Sequence, residues 1–309
     1  MRVIDMENII GNMRDEMKFV LRCEEVFRDK LSYVVANILE NRPARPIVCI
    51  TGPSGSGKTT TAMRLRAYIE NLGVKVCLVS MDNFFLPRDA RPSEVGDDWE
   101  SPYCVDTPRL VHAIDCLLQG DTVEIPKFNF KTGTNEETFL MQGDRDAVVI
   151  AEGIHMLNPL LWDHLSNRAT GVYVAPRTRV LTDEDRIVRP EQIRVARRMI
   201  RDYQNRGHSL RDTILRAESV DLGEEKYIQP FKSNAALHID TFHDYELCIL
   251  ARYLREIPHF YEDFDEDFLH EHHLTNLFHL LQSIPGLQTP YVPRDSVIRE
   301  FIGGSCFAY

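Results

Sequence analysis

Gly52-Pro53-Ser54-Gly55-Ser56-Gly57-Lys58-Thr59 is the stretch on which the reading of this chain turns. It has the form G-x-x-x-x-G-K-T. The apolar run Ile47-Val48-Cys49-Ile50 precedes it, and residues 60–72 follow with helical character. A strand, a glycine turn and a helix N-terminus in that order expose a nest of backbone N–H groups, and such a nest holds phosphate. Gly52, Ser54, Gly55, Ser56, Gly57, Lys58, Thr59 and Thr60 are therefore the candidate ATP-binding residues. A lysine at this point reaches the β- and γ-phosphates, and the hydroxyl after it ligates Mg²⁺. ATP and Mg²⁺ are thus the expected cofactors, and the fate of the γ-phosphate is the open question.

Composition bounds that question. A chain of 309 residues has room for one large domain or one domain with an appendage, and 43% hydrophobic residues supply a substantial core. Charge stands at 36 basic against 47 acidic side chains, a net −11, which disfavours general binding to nucleic acid or to an anionic membrane. No apolar run is long enough for a membrane-spanning helix, and the N-terminus is acidic and amphipathic rather than signal-like. The cysteines (Cys23, Cys49, Cys77, Cys104, Cys116, Cys248, Cys306) form no C-x-x-C pair, and several lie in apolar runs. They read as reduced, buried side chains of a cytoplasmic protein.

Residues 1–41 carry Met17, Val20, Leu21, Phe27, Leu31, Val34, Val35, Ile38 and Leu39 at helical spacing, which predicts one or two helices packed on the core. A proline-containing link, residues 41–46, leads into the first strand. Residues 74–80, 147–151, 172–175 and 237–240 are the further strands, with helices between them, notably 108–118 and 191–205. Strands alternating with helices predict a parallel sheet covered on both faces. Residues 121–139 break the pattern around Lys131-Thr132-Gly133-Thr134-Asn135 and predict a hairpin or flap. After Thr241, residues 245–256 read as a helix that Pro258 ends. Residues 262–279 mix acids with His270, His272, His273 and His279; a metal cluster is one reading, and an amphipathic helix with a His/Glu face is the one the interspersed leucines favour. The fold class is thus α/β: a P-loop NTPase three-layer sandwich with a mainly parallel five-stranded sheet, a flap hairpin, a helical lid and helical terminal extensions.

Two acids sit where strands end. Asp82 closes Val76-Cys77-Leu78-Val79-Ser80-Met81-Asp82, and Glu152 closes Val148-Val149-Ile150-Ala151-Glu152. Ligands of an open α/β sheet bind outside the carboxyl ends of its strands, so both acids are expected to face the glycine loop. Thr59, Asp82 and Glu152 are the candidate metal ligands. Arg194, Arg197, Arg198 and Arg201 follow i, i+3, i+4, i+7 spacing and share one helical face, within a segment that continues through Arg206 and Arg211. A surface stripe is the plain reading. A lid closing on phosphates, hinged at Gly207, is the reading that a P-loop in an acidic chain favours.

Together these pieces resemble the phosphoribulokinase/uridine kinase family, over roughly residues 47–240. The resemblance rests on residues 52–60, on Ser80-Met81-Asp82-Asn83-Phe84-Phe85, and on Trp99-Glu100-Ser101-Pro102 with Asp106. It extends through Ile125-Pro126-Lys127-Phe128-Asn129-Phe130, Glu152-Gly153-Ile154, Arg198-Met199-Ile200-Arg201-Asp202 with Arg206-Gly207, and Gln229-Pro230-Phe231-Lys232. The bacterial uridine kinase-like nucleoside kinases are the nearest likeness, and residues 295–305 resemble the tail of that subgroup. The resemblance implies that Asp82 takes the acceptor hydroxyl proton near Mg²⁺ and that Glu152 is the second acid at the metal. It implies Glu100 and Arg198 at the sugar, and Arg201 and Arg206, with Lys58, on the phosphates. Residues 46–241 would form the kinase domain, 1–45 an N-terminal helical extension and 242–309 a mainly helical C-terminal one.

Two departures bear on the acceptor. Uridine kinases read the pyrimidine with a Tyr and a His in the flap, and here Phe128 and Gly133 stand in those places; His208 also replaces a usual lid arginine. Phe128 can stack but donates no hydrogen bond, and Gly133 has no side chain. Three functions stay open: an ATP-dependent kinase of a nucleoside or similar polyol, a sugar or sugar-phosphate kinase, and a nucleotide-dependent regulatory protein. The last lacks an N-K-x-D guanine-reading motif. The expected partner is a small-molecule hydroxyl acceptor, with neither nucleic acid nor membrane, and a homo-oligomer is compatible with the chain.

Overall fold

The structure, a computed structural model, describes residues 2–96, 98–130, 132–182, 186–260 and 263–308. Lys131 of the expected flap and Glu262 at the head of the His/Glu segment lie outside the described residues. The chain opens with β1 (Val3–Asp5), α1 (Met6–Asn12) and the long α2 (Glu16–Asn41), then β2 (Ile47–Thr51), α3 (Lys58–Asn71) and β3 (Val76–Ser80). Short 3-10 turns lead to α4 (Thr107–Gln119), the hairpin β4 (Thr122–Asn129) and β5 (Thr134–Gln142), β6 (Val148–Glu152), α5 (Pro159–Leu165) and β7 (Ala169–Ala175). Next come β8 (Arg179–Leu181), β9 (Ile187–Val188), α6 (Pro190–Arg206), α7 (Leu210–Leu215), α8 (Ala217–Tyr227) and β10 (Leu237–Asp240). The chain closes with α9 (Glu246–Arg255), α10 (Glu266–Glu271), α11 (Thr275–Ser283) and α12 (Arg299–Ile302).

Five strands form one parallel sheet in the order β10-β7-β2-β6-β3. Its inner strands are buried at every position, which is why they read as unbroken apolar runs rather than alternating ones. The flap is the antiparallel pair β4–β5. Local chemistry sets the helix ends. The Asp106 side chain accepts from the Arg109 N–H to start α4, Gly120 ends it in the left-handed region, and α6 runs from Pro190 to a left-handed Gly207. A three-stranded sheet, β1-β8-β9, was outside the expectations. Its strands are two or three residues long, and tertiary pairing rather than local pattern makes them.

The sheet has a hydrophobic layer on each face. One holds α4, α5 and the flap base. The other joins α3 to Phe27, Leu31, Val34, Val35 and Ile38 of α2 and to Val297 and Phe301 near the C-terminus. A further core gathers α1, α6, α7 and α9–α11. Helix α2 spans two of these cores. Its first turns turn Phe19 and Val20 toward the further core, and this leaves Met17 and Leu21, expected on the packed face, 56% and 50% exposed. The His/Glu segment is two short helices broken at His273 (φ 57°), and among the described residues no group of three or more His, Cys, Asp or Glu converges as a metal site. Among them, too, no helix is long and apolar enough to cross a membrane.

Candidate active site

The glycine loop joins β2 to α3. Gly57 caps α3 in the left-handed region (φ 86°), where a side chain would be strained and where a Cβ would strike Val297. The loop's carbonyls are held from outside. Arg197 donates to Gly55 O at 3.1 Å and Ser56 O at 3.3 Å, Arg194 to Ser54 O at 3.3 Å, and the Thr241 hydroxyl to Ser56 O at 2.7 Å. These contacts fix the loop's backbone, and a fixed set of backbone N–H groups is what an anion cradle needs.

This assigns work to two arginines that spacing alone had put in the lid. Arg197 is fully buried and pairs through two nitrogens with Glu246, its Nη2 at 2.8 Å; Arg194 pairs with Glu224 at 2.6 Å. Both partners lie far along the chain, so the helical pattern held no sign of them. Arg198 and Arg201 belong to the same helix but are placed otherwise. Arg201 Nε donates to Asp202 at 2.8 Å, and Arg206 meets the same carboxylate at 3.4 Å.

The metal candidates converge. Parallel register sets Ile50 of β2 and Ser80 of β3 on either side of Glu152 of β6. Glu152 accepts from the Ser80 hydroxyl at 2.7 Å and meets the Thr59 hydroxyl at 3.5 Å. Asp82 follows on the 3-10 turn Met81–Phe84 and opens to the cleft. Removal from bulk water and the proximity of Asp82 hold the Glu152 carboxyl above its ordinary range. Asp82 is also raised, by the walls around it, while Lys58, Arg206 and Arg201 pull the other way. Lys58 itself donates to Pro53 O at 3.1 Å. One hydroxyl and two crowded carboxylates form an all-oxygen donor set, which suits a hard divalent cation.

At the other end of the cleft, Glu100 is half-buried, and loss of hydration pushes its carboxyl up to about 7 against the pull of Lys58 and Arg198. Arg198 is 4% exposed, its Nη1 and Nη2 have no hydrogen-bond partner among the described residues, and burial pushes it down to about 10. Phe128 sits among aromatic side chains, 4.9 Å from Phe130, 5.7 Å from Phe85 and 6.4 Å from Trp99 between ring centroids. Gly133 lies across from Trp99. Sequence reasoning passed over four neighbours. Arg91 stacks 3.6 Å above Trp99, Tyr227 donates to Asp98 at 2.8 Å, and His155 is 1% exposed, against the Glu100 backbone. Burial pushes that imidazole down to about 3, so it is neutral. Only its place two residues beyond Glu152-Gly153 could have flagged it.

The sequence profile of the Phosphoribulokinase / Uridine kinase family matches residues 47–247. The uridine kinase of Alkaliphilus metalliredigens is 29% identical over 211 residues, covering 66% of this chain and 92% of that protein. The uridine kinase of Ligilactobacillus salivarius is 30% identical over 203 residues, covering 64% and 86%. Among solved structures, D-glycerate 3-kinase from Cryptococcus neoformans var. grubii aligns with a TM-score of 0.48 and 15% identity, over 66% of this chain and 88% of that one. With the glycine loop and its parallel sheet inside the matched span, the chain belongs to the phosphoribulokinase/uridine kinase family and is a small-molecule kinase.

Proposed function

We propose that the protein transfers the γ-phosphate of ATP to a hydroxyl of a nucleoside or similar polyol. The observation that carries this reading is the cleft itself. Asp82 lies within electrostatic reach of Lys58, Arg201 and Arg206, on the sheet edge that bears the glycine loop, and Glu100 opens to the same space. Asp82 takes the proton as the acceptor oxygen attacks the γ-phosphorus and the bond to ADP breaks. Lys58, Arg201 and Arg206 offset the charge on the transferred group. Thr59, Asp82 and Glu152 would hold Mg²⁺, which when bound neutralises phosphate oxygens. Glu100 and Arg198 orient sugar hydroxyls, and Phe128 offers a ring face to the base.

The uridine kinases among the relatives favour a nucleoside. A second reading, a sugar or sugar-phosphate acceptor, draws support from the two unpartnered ends of the buried Arg198, which would suit an anionic group. Labelled ATP with a panel of nucleosides, sugars and sugar phosphates, resolved by thin-layer chromatography, separates the two. We expect labelled nucleoside monophosphate. Label appearing only on sugars would install the second reading, and release of inorganic phosphate with no labelled acceptor would overturn both.

A further inference from the structure

The segment between α11 and the C-terminus crosses the start of α3. Val297 fills the space beside Gly57, and α12 carries Glu300 over the helix's first turn. Glu300 Oε2 accepts from the Thr60 N–H at 3.2 Å and from the Thr60 hydroxyl at 2.7 Å. Thr60 directly follows Lys58 and Thr59, in the turn whose N–H groups and positive dipole end receive phosphate in loops of this kind. An internal carboxylate is thus seated on a phosphate donor. Its charge also reaches Glu152 and Arg206, which places it beside the cleft rather than behind it.

The base of the segment is fixed. Arg299 donates to Val292 O at 2.6 Å and Thr289 O at 3.0 Å, and Phe301 lies under the Arg197 guanidinium at 4.9 Å. Ser296 is hydrogen-bonded to Tyr245 at 3.0 Å, and Tyr245 donates to the buried Glu24 of α2 at 2.7 Å. Glu300 itself is only half-buried, so its side chain can swing away while the base stays seated.

We propose that Glu300 is a built-in competitor for the donor phosphates: it latches the first turn of α3, and nucleotide binds only as the Glu300–Thr60 contact opens. This rests on the reading of the loop as the ATP site. A plain helix cap would need no charge, since an amide caps an N–H as well as a carboxylate does. A latch that competes with polyphosphate does need it, and it lowers apparent affinity by the fraction of molecules that are open.

Glu300→Gln separates these roles, because it keeps the size and the hydrogen bonds but removes the charge. Binding of a fluorescent ATP analogue and of inorganic tripolyphosphate is measured for wild type, Glu300→Gln, Glu300→Ala and Lys58→Ala, with thermal unfolding of each. We expect Glu300→Gln to bind both about tenfold more tightly. Glu300→Ala, which also removes the charge, should tighten tripolyphosphate binding in the same direction, a reading that holds even where Glu300→Gln fails to fold. Affinity unchanged or weakened in a folded Glu300→Gln or Glu300→Ala protein overturns the latch while wild-type binding lost in Lys58→Ala upholds the loop. Absence of binding in all of these proteins overturns both.

Discussion

The two ends of the cleft are built by different means. The phosphate end is mostly main chain: a glycine loop whose carbonyls are pinned by Arg194, Arg197 and Thr241, and two strand-end acids in parallel register. The end we assign to the acceptor is mostly side chain, with Glu100, Phe128, His155, Arg198 and Tyr227 drawn from separate elements. Backbone geometry constrains sequence tightly, because only glycine fits without strain at Gly57. Side chains from scattered elements can be exchanged one at a time. The first end is accordingly the generic part of the molecule, and the second is where we place acceptor choice.

The largest effect is expected at the generic end. Lys58→Ala removes the mobile cation of the loop and should slow phosphoryl transfer by about 10³-fold, with weaker nucleotide binding. Turnover at the wild-type rate in steady-state assays would break the comparison at its base. Asp82→Asn comes next. It preserves shape but accepts no proton, so kcat should fall by about 10²-fold while ATP affinity changes far less. Equal losses in both would make Asp82 a metal or structural residue instead.

Arg201→Ala and Arg206→Ala sharpen the contrast along α6. Each should lower kcat by about tenfold and leave thermal unfolding within a few degrees of wild type, because either variant leaves Asp202 paired with the other arginine. Arg197→Ala, on the same helix, should instead destabilise the protein by roughly 3 kcal/mol or more, since it leaves the buried Glu246 carboxylate without its guanidinium counter-charge. A kinetic defect without a stability defect in Arg197→Ala would mean that it too works on phosphate.

How far each end was legible follows from the same difference. The three inner sheet strands could be read because burial on both faces demands unbroken apolar runs, and the loop because its geometry dictates its glycines. The sheet β1-β8-β9 could not, since three residues at Val3–Asp5 become a strand only against Arg179–Leu181. The arginine spacing of α6 was visible, but Glu224 and Glu246, which withdraw Arg194 and Arg197 from the cleft, are supplied by folding. Glu300 lies 240 residues from Thr60, and His155 acquires meaning only once β6 sets it behind Glu100.

The smallest expected effect, and the sharpest test of the acceptor end, concerns what is recognised there. Glu100 is pushed up to about 7 from an ordinary 4.5 by burial. A carboxylate accepts hydrogen bonds from hydroxyls and a carboxylic acid does so less well, so the acceptor KM should fall as pH rises through about 7. The linked stability has the opposite sense: raised in the folded state, Glu100 contributes stability that is complete below pH 4.5 and lost as pH climbs through about 7. Bound hydroxyls should restore part of it by giving the carboxylate partners. Glu100→Gln ought to flatten both profiles. If the base meets Phe128 and Gly133 as we propose, neither of which offers it a side-chain hydrogen bond, removing a sugar hydroxyl should cost about tenfold or more in kcat/KM, and exchanging uracil for another base only about threefold. Competition between uridine, cytidine, a purine nucleoside and a deoxynucleoside measures the two together. A strict preference for uridine over every other ribonucleoside would locate the pyrimidine reader outside the flap, and the buried, neutral His155 would be the first residue to mutate.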